Sequence, residues 1–220
     1  MELLKNLLNP EFYINNGGLW LILFIIFAET GLFVGFFLPG DSLLFVAGIY
    51  AVDLIEKSVA TFGSDFIDTT VLASLISLAA IIGNEVGYWF GYKSGPMLYE
   101  REDSWLFKKK YLFKAHDVFE EHGKVAVIVA RFLPVVRTFV PIVAGIVKME
   151  KGKFLVYNVI GAVVWSFSLV FAGHYLHKLC LDYFDLDLTK HLEIIILIIV
   201  LITTAPVIIK LIKGEPKKRD

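Results

Sequence analysis

Two segments of the chain repeat one pattern with opposite charge. Residues 37–48 read FLPGDSLLFVAG and residues 132–145 read FLPVVRTFVPIVAG. Each opens on Phe-Leu-Pro, sets an ionisable group two or three residues after the proline, and closes on Ala-Gly. The first copy carries Asp41, preceded by Glu29; the second carries Arg137, preceded by Arg131. Their surroundings are apolar enough for a membrane, where a charge at the bilayer centre costs about 2.5–3.5 kcal/mol on insertion scales. Hydrophobic segments broken by proline at corresponding places in two halves point to a binding site inside the bilayer. The chain therefore reads as an integral membrane protein with a polar centre.

Composition supports that class. The 220 residues are 57% hydrophobic and the mean hydropathy is +0.69, above the roughly 45–50% apolar content of soluble domains. The length suits a single membrane domain spanning 1–220. A net charge of −1 gives no reason to expect a nucleic-acid partner. One cysteine, Cys180, excludes an intrachain disulfide and any multi-cysteine metal site. His174 and His177 read as interfacial histidines, and no metal is expected. Trp20, Trp89, Trp105 and Trp165 read as interfacial-belt or packing residues. No phosphate-loop, zinc-protease or nucleophile-elbow motif occurs, so neither a cofactor nor an enzyme activity is expected.

The hydrophobic pattern divides the chain into parts of different kinds. Residues 1–17 lack the features of a secretory signal; leucines at helical spacing predict a short interfacial helix closed by Pro10. Residues 19–38 are long enough to span but stop at Pro39-Gly40, and 43–52 supply only about ten apolar residues, too few for a ~30 Å hydrocarbon core. A long and a short arm predict a re-entrant hairpin over 19–55. Residues 69–92 predict a span rich in small residues, which let helices approach closely. Residues 93–122 predict a cytoplasmic amphipathic segment. Residues 124–147, interrupted by Pro134 and Pro141, predict the second hairpin; 154–176 and 191–212 predict two more spans.

Basic residues set the orientation. Segment 93–124 has seven, the 148–153 loop adds Lys148, Lys151 and Lys153, and 210–220 adds five more. Loop 53–68 has Lys57 against four acids, and 178–190 has two lysines against three aspartates. The basic segments and the C-terminus are thus placed in the cytoplasm, the acidic loops outside. With three full spans, each hairpin returns to the side it entered from, the first from outside and the second from inside. The predicted fold class is all-α, an inverted repeat of two opposed re-entrant hairpins with about three full spans and amphipathic interfacial helices.

Opposed hairpins would bring the four charges together near the midplane. A straight helix would set Arg131 and Arg137 about 240° apart, but a break at Pro134 lets both guanidiniums enter one cavity. Two planar donor forks suit a phosphate group, and Glu29 and Asp41 suit proton coupling. Asn84, Glu85 and Tyr88 are further candidates for lining the cavity.

The pairing of E(x11)D around FLPGD with RFLPVVRT and a following PIVAG resembles the DedA family of bacterial inner-membrane proteins, whose core domain is shared with eukaryotic lipid scramblases. The resemblance runs from about residue 12 to 210 and extends to GNEVGYWFGYKSG, where the family often has Gly-Asp or Gly-Asn followed by Tyr-x-x-Gly. Here Asn84 stands in the acid's place and Glu85 follows. The resemblance implies two opposed re-entrant hairpins, a multi-pass protein of the inner membrane, and transport of undecaprenyl or another polyprenyl phosphate for envelope recycling. It also implies a link to proton motive force, and it assigns essential roles to Glu29, Asp41, Arg131 and Arg137. The residues alone leave open a non-selective phospholipid scramblase, a proton or cation antiporter, a lipid phosphatase, and homo-oligomer formation.

Overall fold

The computed structural model of the chain describes residues 10–32, 40–60, 62–100, 127–128, 131, 134–192, 194–199 and 201. Six α-helices run through these residues: α1 (Pro10–Gly31), α2 (Gly40–Ile49), α3 (Ala51–Ser58), α4 (Asp65–Glu100), α5 (Pro134–Ile146) and α6 (Lys151–Phe184), followed by a 3-10 turn at Leu188–His191. Most of segment 93–122 and of the expected span 191–212 lies outside the described residues, as do residues 1–9, Pro39 and both Phe-Leu pairs.

α1 begins at Pro10, and the interfacial helix expected before it falls on residues 1–9, outside the described residues. Proline suits a first helical turn, because its missing N–H would have no partner there. The break falls at Gly18, whose φ of 54° and ψ of −149° divide α1 into two helical pieces. Pro134 starts α5, and Pro141 leaves that helix continuous. Its missing N–H frees the carbonyl of Arg137, one turn back.

α4 and α6, of 36 and 34 residues, are long and apolar enough to cross a membrane. At 1.5 Å per residue each exceeds the ~30 Å hydrocarbon core, so their ends project beyond it. The expected spans 69–92 and 154–176 fall inside them. Both turn apolar side chains outward. On α6, Leu155, Val156, Val159, Ile160, Val163 and Val164 are exposed along one face, and on α4 so are Leu78, Ile82 and Trp89. A contiguous exposed apolar face of this kind suits lipid and not water.

α2 is the opposite case. Every residue from Gly40 to Gly48 is buried, as expected of a helix apolar on all sides. Ten residues reach only about 15 Å, so α2 is packed inside protein and is too short to cross. The core around it combines Leu19, Ile22 and Ile26 of α1, Leu43 and Leu44 of α2, Leu72 and Ile76 of α4, and Trp165 and Val170 of α6.

The two Ala-Gly endings do the same work in both copies. A side chain on Gly48 would collide with the Val170 carbonyl of α6, and one on Gly145 with the Tyr88 carbonyl of α4. Only glycine lets these backbones touch. Gly91 and Gly173 make the reciprocal close approaches, against Ile142 and Phe45. Asp65 meets Lys178 at 2.8 Å at one end, and at the other the Tyr88 hydroxyl donates to the Met149 carbonyl at 2.5 Å.

Candidate functional site

The N-termini of α2 and α5 converge on one ion cluster. Glu29 lies in the last turn of α1 and Asp41 in the first turn of α2. Arg137, one turn into α5, joins them: Nη1 donates to Asp41 Oδ1 and Nη2 to Glu29 Oε1. The guanidinium fork thereby binds two carboxylates from separate helices, a geometry that the point charge of lysine does not reproduce. All three groups are buried, and a buried charge is tolerated only when paired and hydrogen-bonded. Gly40 makes room for the arrangement, since a Cβ there would overlap the Glu29 carboxyl group.

Arg131 stands behind this pair in a separate polar nest. Its Nη2 donates to Asn158 Oδ1 at 3.1 Å, and Nη1 approaches the Asn158 carbonyl at 3.4 Å. With its amide oxygen turned toward the guanidinium, Asn84 accepts from Arg131 Nη2 at 2.6 Å and donates to the Thr30 carbonyl at 3.0 Å. No carboxylate pairs with Arg131 among the described residues.

Trp165 links the two arginines. Its ring lies 5.1 Å from the Arg137 guanidinium carbon and 5.8 Å from that of Arg131, within cation–π range. Its Nε1 donates to Asp41 Oδ1 at 2.9 Å. The cluster thus holds two guanidiniums, two carboxylates and one indole, formally neutral when all four charges are present. Asn84, Arg131, Arg137, Val140 and Pro141 line a cavity of only about 10 Å³, barely the room one water needs. Glu29 Oε2 and Arg137 Nε are buried without a hydrogen-bond partner among the described residues. Among the described residues the cluster thus leaves little free space and keeps one acceptor and one donor unused.

The VTT domain family matches residues 38–175, which include Asp41, both arginines, Asn158 and Trp165. Protein DedA of Escherichia coli (strain K12) is 37% identical over 201 residues, covering 90% of this chain and 85% of that protein. The chain belongs to the DedA family. This DedA-family chain is also 34% identical to the uncharacterized membrane protein Rv0364 of Mycobacterium tuberculosis (strain ATCC 25618 / H37Rv) over 223 residues, 99% of this chain and 91% of that one. It is 32% identical to the inner membrane protein YqjA of E. coli (strain K12) over 179 residues, 79% of this chain and 73% of that one. No solved structure matches it significantly. With two helices fit to cross a bilayer and apolar outer faces, it is a membrane protein.

Of the residues singled out in the sequence of this DedA-family protein, Glu29, Asp41, Arg131, Arg137 and Asn84 come together. Glu85 stands one residue further out, accepting from Asn158 Nδ2 at 3.4 Å without touching an arginine. Tyr88 does not join them; it stacks on Phe154 at 4.6 Å and ties α4 to the turn after α5. Two members escaped the sequence reading. Trp165 resembled a packing residue, and its neighbours gave no sign that it faces charge. Asn158 had a usable signal: a lone amide inside an otherwise apolar span.

Proposed function

We propose that this protein carries a lipid phosphate, most specifically undecaprenyl or another polyprenyl phosphate, across the bacterial inner membrane for envelope recycling. The observation that carries the reading is the bridge from Arg137 to both Glu29 and Asp41. A phosphate binds a guanidinium fork as a carboxylate does, so it can take the place of either acid. The N-terminus of α5, whose backbone N–H groups favour anions, lies beside Arg137.

In this reading α1–α2 and α5 with the segment before it are opposed re-entrant hairpins, the first entering from outside and the second from the cytoplasm. The ion-paired cluster is the resting state. Protonation of Glu29 or Asp41 releases Arg137 for an incoming phosphate, while the polyprenyl tail stays in lipid. Reionisation then expels the headgroup and restores the pair. Proton coupling follows from the acids; selectivity for phosphate follows from the two arginines. The C-terminus is cytoplasmic, as the basic tail favours.

The test is reconstitution into liposomes with fluorescent polyprenyl phosphate or phosphatidylcholine, with and without a pH gradient. Selective movement of the phosphate lipid, accelerated by the gradient, is expected. Equal rates for both lipids and indifference to pH would point to a scramblase and contradict the proposal. Cation-dependent proton flux without lipid movement would point to an antiporter, and phosphate release to an enzyme.

A further inference from the structure

A groove of about 920 Å³ opens on the surface of the protein, and none of its lining residues belongs to the Glu29–Asp41–Arg137 bridge. Ile82, Val86 and Trp89 of α4 form its apolar wall, and Ile82 and Trp89 face the lipid. Lys93, Lys148 and Lys151 stand along its rim. The volume is that of a small-molecule site, and it holds a headgroup with the first part of a chain but not a whole lipid.

We infer that this groove docks the phosphate headgroup of a membrane lipid, with Lys93, Lys148 and Lys151 on the phosphate and the first chain carbons along Trp89, Val86 and Ile82. Charge decides the sign of the ligand. Two acids line the groove with the three lysines: Glu150 pairs with Lys153 at 2.5 Å, and Glu85 accepts from the neutral Asn158 amide and keeps its charge at the inner end. Three lysines against that one unpaired carboxylate leave the rim with an excess of positive charge. Lys93 lies 4.2 Å over the Trp89 ring, so cation and apolar wall adjoin, as an amphiphile with an anionic head requires.

Lys148 adds a second observation. It follows α5 with φ of 56°, a left-handed conformation that favours glycine. Its N–H donates to the Gly145 carbonyl at 3.0 Å, closing the turn. A lysine is thus held at the groove in a conformation that strains an L side chain. A soluble phosphate would leave the apolar wall unused, which assigns the groove to a lipid.

The groove also has a way inward. Glu85 lines it and contacts Asn158, which accepts from Arg131 at 3.1 Å. A docked headgroup stands at the outer end of this polar chain. That onward path rests on the proposed transport; the docking itself does not.

The experiment is tryptophan quenching of the full-length protein in phosphatidylcholine nanodiscs, titrated with brominated phosphatidic acid or brominated phosphatidylcholine. Phosphatidic acid should quench at about tenfold lower mole fraction, since each lysine near an anionic lipid contributes a several-fold preference. Trp89→Phe should remove most of that quenching. Lys93→Gln with Lys148→Gly and Lys151→Gln should abolish the preference. Lys148→Gly alone, which relieves the left-handed strain and so protects folding, should weaken it about threefold. Equal quenching by both lipids, a preference that survives the triple substitution, or displacement by millimolar inorganic phosphate would overturn the inference. Lys93→Gln with Lys148→Gly and Lys151→Gln touches none of the central ion cluster, so loss of the lipid preference is read separately from any failure of transport.

Discussion

Trp165 donates its indole N–H to Asp41 at 2.9 Å while its ring faces the guanidinium of Arg137 at 5.1 Å. One side chain on α6 thereby fixes the orientation of both partners in the central ion pair, and it reaches Arg131 as well. The cluster is thus held from α1, α2, α5 and α6 at once. Its rigidity depends on groups outside the two duplicated segments.

Trp165→Phe keeps a ring and removes the N–H. A buried hydrogen bond to a charged group is worth about 1.5–3 kcal/mol, so thermal unfolding in detergent should show a loss in that range. Trp165→Leu, which also removes the cation–π contacts, should cost roughly 1 kcal/mol more. An unchanged midpoint in both would show that the indole does not hold the cluster.

Arg137→Ala strands two buried carboxylates. Removing one partner of a buried ion pair costs about 3–5 kcal/mol, and the variant should unfold correspondingly early. Adding Glu29→Gln and Asp41→Asn removes the stranded charges and should recover most of the loss. If the triple variant is no more stable than Arg137→Ala, charge stranding is not the cause.

Gly48 and Gly145 should be the least tolerant small residues. Valine at either position drives its helix off a neighbouring backbone, and overpacking of this kind costs about 1–3 kcal/mol. Gly152, whose added Cβ meets only the flexible Glu150 carboxylate at 3.9 Å and whose backbone is helical, is the control for crowding. Stability measured on the three variants should rank them in that order.

Much of this was legible in the sequence because buried charge is conspicuous in an apolar chain. Glu29, Asp41, Arg131 and Arg137 each interrupt a hydrophobic run, and the structure gathers all four. The small residues of 69–92 were legible as close-approach sites, and Gly91 makes one against Ile142; the same role for Gly48 and Gly145 emerged only from the packing. Tyr88 misled because its sequence neighbour Asn84 reaches the cluster, while one further turn of α4 carries Tyr88 away to the Met149 turn. Pro141 misled: it read as a break, yet α5 passes through it unbroken. Trp165 was illegible because an indole in a span signals packing or interface, and only tertiary contact places it on a carboxylate.

The link between Asp65 and Lys178 joins the ends of α4 and α6 at 2.8 Å, but both side chains are about half exposed. Exposed pairs contribute about 0–1 kcal/mol. Lys178→Ala should therefore shift stability by less than about 1 kcal/mol and leave transport unchanged, in contrast to every substitution in the cluster.

The central claim is that the arginines move a lipid phosphate and do not merely hold the fold. It is tested most directly by translocation of polyprenyl phosphate in proteoliposomes containing the stability-restored variant Arg137→Ala, Glu29→Gln, Asp41→Asn. The account predicts a rate at least about tenfold below wild type, since the charge-assisted fork for phosphate is gone. Translocation at the wild-type rate by that folded variant would contradict it.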